Sequence, residues 1–134
     1  PILGTFSNSA VTNEELSVTI LIGEKYIDFM LFEYGSRRVK DKSGRIYRIG
    51  LKHNGELIST SKFNRFPPCE ARMGTDRIRV KGGRKFKRLK NAFLEGGDLK
   101  FHIVQQITGI ESEYKFALLD LDGTKIKDKL STLK

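Results

Sequence analysis

The chain has 134 residues, with 25 Lys and Arg against 16 Asp and Glu, a formal net charge of +9, 38% hydrophobic residues and 10% aromatic ones. That apolar content excludes a disordered basic tail, and the length suits a single domain, residues 1–134, able to bury roughly two-thirds of its unfolded surface. A lone Cys69 excludes an internal disulfide, His53 and His102 leave no clustered zinc set, and the longest apolar run, Leu16 to Ile22, is too short to span a bilayer.

In chain order, alternation at period two predicts half-buried strands. Val18, Ile20 and Ile22 alternate with Thr19 and Leu21; Ile27, Phe29 and Leu31 alternate with Asp28 and Met30. Lys42-Ser43-Gly44 predicts a turn, after which Tyr47, Ile49 and Leu51 face one way and Arg48 the other. Asn54-Gly55 is a strong hairpin signal leading into Leu57 to Thr60. From Ser61 to Thr75 periodicity fails, two prolines intervene, and a long loop of the kind that often carries function is expected.

Arg77-Ile78-Arg79-Val80-Lys81 alternates again, with Ile78 and Val80 inward and three cations outward. After Gly82-Gly83 the period changes: Phe86, Leu89 and Phe93 mark the apolar side of a short amphipathic helix over Arg84 to Phe93, suited to plugging a barrel end. Leu99, Phe101 and Ile103, then Tyr114, Phe116 and Leu118, predict two further strands, and Asp122-Gly123 a turn before a weakly ordered polar tail, residues 125–134. The fold class expected is mainly β, an open or partly closed pseudobarrel of about seven strands with one or two short helices.

Charge is distributed unevenly over these elements. Between Arg37 and Lys90 stand eighteen cations against four acids, a local +14, while residues 1–36 sum to −4 and residues 91–134 to −1. A localised field of this kind predicts a polyanionic partner, with double-stranded DNA first among candidates. The candidate contacts fall in three settings: a turn region with Arg37, Arg38, Lys40, Lys42, Arg45 and Arg48; the loop with Lys62, Asn64, Arg65 and Arg72; and the strand with Arg77, Arg79 and Lys81. Guanidinium matches guanine edges and phosphates in bidentate fashion, and Asn pairs with adenine. Phe63, Phe66, Tyr34 and Tyr47 have two possible uses, stacking on bases or pinning their segments to the core.

Two catalytic patterns invite comparison. Phe116 to Thr124 resembles the nucleophile strand of haloacid-dehalogenase-type phosphatases, with Asp120 and Asp122 in the acidic positions, but a strand ending in an Asp-Gly turn accounts for the same letters. Asp98 with Glu113 and Lys115 resembles the Mg²⁺-binding pattern of restriction-type nucleases, although Gly97 stands where that pattern usually has Pro. No metal, cofactor or catalytic set is assigned on this reading.

Arg77 to Val104 resembles the second half of the plant B-three-type DNA-binding pseudobarrel. The matching residues are Leu94, Gly97, Asp98, Phe101 and Ile103 in a Leu-x-x-Gly-Asp turn and following strand, with Phe86 as the helix aromatic. Lys42 to Arg48 matches the family's turn and aromatic strand more loosely, and the tryptophan common before the helix is absent. The resemblance implies a domain that grips the DNA major groove between two arms, Arg37 to Arg48 near the first and Lys62 to Lys81 in the second. Bacterial versions serve as recognition domains of restriction endonucleases. The function expected is therefore sequence-specific duplex binding without chemistry, by a monomer in bacterial cytoplasm or in a nucleus. A Mg²⁺-dependent nuclease and an RNA- or single-strand-binding barrel are the alternatives.

Overall fold

The computed structural model describes residues 2–8, 10–39, 46–58, 68–73, 77–81, 83–106 and 112–126. In chain order its elements are β1 (Ile2–Ser7), β2 (Glu14–Ile22), β3 (Tyr26–Glu33), β4 (Arg37–Arg38), β5 (Ile46–His53), β6 (Glu56–Ile58), β7 (Pro68–Met73), β8 (Ile78–Lys81), α1 (Gly83–Glu95), β9 (Gly97–Gln106) and β10 (Glu113–Leu121). Following hydrogen-bonded neighbours, β2, β1, β10, β9, β5, β7, β8 and β3 succeed one another, and β3 pairs back onto β2. The mainly β, partly closed pseudobarrel expected from the alternation is what forms. Its thinnest seam is β7 to β8, joined only at Arg72↔Arg79 and Met73↔Ile78 among the described residues.

The strands expected from alternation and from the Asn-Gly hairpin, seven together, are present, and three others join them. In β1 the inward positions Ile2, Gly4 and Phe6 include a glycine, which breaks the apolar pattern. A Cβ on Gly4 would collide with the Lys115 carbonyl and the Phe116 side chain, so the close approach of β1 to β10 requires glycine there. β4 is two residues long. β7 corrects the expected irregular stretch from Ser61 to Thr75: Pro68 occupies the first strand position, where a missing N–H costs the ladder least.

Inward side chains fill the interior as the alternation predicts. Tyr47, Ile49, Leu51, Ile78, Val80, Leu99, Phe101, Ile103, Tyr114 and Phe116 are all buried. Helix α1 contributes Phe86, Leu89, Ala92 and Phe93 to the same core, which is why its cations lie on the remaining arc. Phe93 stacks on Phe101 with ring centroids 5.6 Å apart, Phe101 on Phe116 at 5.0 Å, and Phe29 meets Phe101 edge-on at 5.5 Å. Such pairs add to area burial because ring edges and faces carry opposite partial charge.

The Gly-Asp turn is tied to the Asn-Gly hairpin. Asn54 and Gly55 both take positive φ, as a two-residue hairpin turn requires. The Asn54 amide donates to the Asp98 carbonyl at 2.8 Å, and the Asp98 amide donates to Asn54 Oδ1 at 2.9 Å. A side chain on Gly97, whose φ is 90°, would run into Asn54. Residues 123–126 then form one helical turn, with Ile126 against the core, so the tail expected from residue 125 starts inside structure; residues 127–134 lie outside the described residues. No helix among the described residues is long and apolar enough to cross a membrane.

Candidate nucleic-acid interface

Strand β3 organises the cations. One of its edges is shared end to end by two others: β8 pairs with Tyr26 to Phe29, and β4 with Phe32 and Glu33. The registers place Lys81 opposite Tyr26, Arg79 opposite Asp28, Arg38 opposite Phe32 and Arg37 opposite Glu33. Segments some forty residues apart in sequence are thereby set along about 23 Å of one strand, at roughly 3.3 Å per residue. On the far side of β8, Arg72 stands opposite Arg79, and one strand further Arg48 stands opposite Glu70.

These cations differ in how firmly they are held. Arg79 donates from Nε to Asp28 Oδ1 and from Nη2 to Asp28 Oδ2, both at 2.8 Å, and its guanidinium lies 4.2 Å from the Tyr26 ring centre. Arg77 Nη1 reaches the same carboxylate at 3.3 Å. Asp28 is fully buried, whereas the Arg79 side chain remains 44% exposed. The hydrogen bond to Asp28 is the main cause of a raised Arg79 pKa, so its charge is permanent at any working pH. Ile78 and Val80 are buried while Arg79 and Lys81 are exposed, as the alternation predicts; Arg77 and Arg79 in addition converge on a buried acid, and Lys81 has no partner among the described residues.

At the other end, Arg37 Nη2 donates to Glu33 Oε1 at 2.7 Å and lies over the Tyr34 ring at 5.3 Å. Glu33 Oε2 also accepts from the buried Tyr114 hydroxyl at 3.2 Å. Tyr34 is 44% exposed, sits edge-on to Phe6 at 5.1 Å, and takes φ of 55° beside Gly35, a conformation that costs a non-glycine residue free energy. Arg38 donates to Met30 Sδ at 2.6 Å and covers the Phe32 ring. Arg48 is half-buried, and Tyr47 lies wholly in the core rather than on the surface. On α1, Lys87 and Arg88 are exposed, and Lys90 donates to the Glu24 carbonyl at 3.3 Å.

Of the sequence candidates, Lys40, Lys42, Arg45, Lys62, Asn64 and Arg65 lie outside the described residues, as do Phe63 and Phe66; Arg72 is placed by backbone register alone. Asp28, Glu33 and Tyr26, which hold the arginines, were not legible as site residues. The available signal was an acid flanked by Ile27 and Phe29 on a strand, a position that demands a cationic partner once it is buried.

The catalytic patterns disperse. Glu113 pairs with Val104, six residues along β9 from Asp98, or about 20 Å at strand spacing, so Asp98, Glu113 and Lys115 do not share a metal site. Asp98 Oδ1 instead accepts the Asp120 amide at 3.0 Å, where the β9–β10 register shifts. Asp122 Oδ1 accepts the Thr124 amide at 3.0 Å, which is turn chemistry. No group of three His, Cys, Asp or Glu among the described residues is placed to hold a metal ion. Comparison with family models, curated proteins and solved structures found no match.

Proposed function

We propose that this chain binds double-stranded DNA with sequence preference through the face built on β3, β4, β7 and β8. The observation that carries the reading is the alignment of two sequence-distant cationic segments on one edge of β3. A row of this length can lie along a major groove about 12 Å wide and still reach its flanking phosphates. The resemblance to the B-three-type pseudobarrel, carried by Phe86 in the helix and Phe101 and Ile103 in the strand, would make such a face part of the recognition domain of a restriction endonuclease.

Competition tests the reading. Labelled duplex DNA bound to the protein is challenged with unlabelled duplex, single-stranded DNA and double- and single-stranded RNA of matched length. Duplex DNA is expected to compete best; displacement by RNA or single strands at equal or lower concentration overturns the proposal. Plasmid incubated with Mg²⁺ is expected to stay intact, and cleavage lost in Glu113→Ala would replace binding by nuclease action.

A further inference from the structure

A guanidinium has two edges able to make parallel pairs of hydrogen bonds, one formed by Nε and Nη2, the other by Nη1 and Nη2. In Arg79 the first edge is taken by Asp28, with both bonds at 2.8 Å. The second edge has no hydrogen-bond partner among the described residues. The Tyr26 ring, 4.2 Å away, restrains the plane of the group, and the carboxylate that anchors it is wholly buried and therefore fixed. An arginine on the surface normally loses side-chain entropy when it engages a ligand; here that cost falls on folding, and the open fork is presented in one orientation.

A rigid planar donor pair can meet either a phosphate or a planar acceptor pair, but a phosphate is met as well by a mobile lysine, so fixing the fork's orientation matters for the planar pair. Guanine O6 and N7 in the major groove form that acceptor pair. Resting on the duplex-DNA reading above, we infer that Arg79 is the specificity-determining group of this face, reading one guanine, with Asp28 and Tyr26 as its positioning residues. Lys81, beside it on β8, holds phosphate.

The test starts from a duplex obtained by selecting wild-type binders from random sequence, together with a scrambled duplex of the same composition. Each guanine of the selected duplex is replaced in turn by 7-deazaguanine, which lacks the N7 acceptor. One position is expected to lose about tenfold in affinity. Arg79→Lys keeps the charge and removes the fork; it is expected to lose about tenfold or more on the selected duplex, little on the scrambled one, and to be indifferent to deazaguanine at the sensitive position. Equal weakening on both duplexes makes Arg79 a phosphate contact and overturns the inference while duplex binding stands. Should Arg79→Lys fail to fold, the scan on wild-type protein still decides, because no sensitive guanine overturns the assignment. Failure of wild-type protein to bind any duplex removes the proposed function itself, and this inference with it.

Discussion

The electrostatic part of the proposal has a magnitude that can be worked from the pairing. Seven of the twelve candidate cations are described, Arg37, Arg38, Arg48, Arg72, Arg77, Arg79 and Lys81, and three acids, Asp28, Glu33 and Glu70, stand opposite members of that set. The net of four predicts a slope of log K against log salt of about −3.6, and a loss of roughly 150-fold between about 50 and 200 mM salt. Glu33→Gln is the informative perturbation. The amide keeps an acceptor for the Tyr114 hydroxyl, while the Arg37 guanidinium, now 2.7 Å from a carboxylate oxygen, is released to neutralise a phosphate. The slope is expected to steepen by about 0.9, with affinity at 0.1 M salt rising up to about eightfold. Fluorescence anisotropy on a fixed duplex at five or so salt concentrations measures both quantities. A wild-type loss below about tenfold over that range refutes the electrostatic account, and a Glu33→Gln slope equal to wild type removes β4 from the interface.

Other expectations concern the scaffold. Asn54→Ala gives up the bond from the Asp98 amide and forces alanine into φ of 51°, for a cost of about 2 kcal/mol, whereas Asn54→Gly loses only the bond and costs about 1 kcal/mol; urea unfolding that ranks them equally would contradict the left-handed strain. Leu89→Ala, at a fully buried position on α1, should destabilise by about 2 to 5 kcal/mol, read as a lowered melting temperature, and a change under about 1 kcal/mol would mean that α1 does not share the core. Burial first, then the neighbouring Glu33 charge, raises the Tyr114 hydroxyl far above its usual value near 10. Its contribution to stability is therefore complete below pH 10 or so and declines above it, as the unfolded tyrosine ionises and the folded one does not. Phenolate absorbance should show Tyr114 ionising only with unfolding, and reversible ionisation in the folded protein near its usual pKa would refute this.

The fold was legible wherever one face of a strand is continuously apolar. Tyr47, Ile49 and Leu51, or Leu99, Phe101 and Ile103, alternate without interruption and are buried as the pattern requires. β1 escaped because its inward Gly4 answers to backbone approach rather than to hydrophobicity, and β7 because its residues Pro68 to Met73 show no clear period. Turn chemistry was equally local, which is why Asn54-Gly55 was readable at once while its bonds to Asp98, forty-four residues later, were not.

The proposed interface was legible as charge but not as arrangement, and Asp28 marks the difference. Strand alternation assigns it to the side away from Ile27 and Phe29, where an acid would ordinarily be solvated. Asp28 is nonetheless wholly buried there, and the Arg77 and Arg79 guanidiniums that bind its carboxylate come from positions 49 and 51 residues away, a contact that no local pattern encodes. Burying one charge there without the others would cost several kcal/mol, so the three residues stand or fall together. The surrounding segment carries a cationic excess, yet its best-placed arginine is made rigid by an acid from the chain's acidic first 36 residues. On the proposed reading, net charge would draw a polyanion to this face, whereas orientation of an individual donor pair requires an anchoring carboxylate, and only the second can distinguish one base from another.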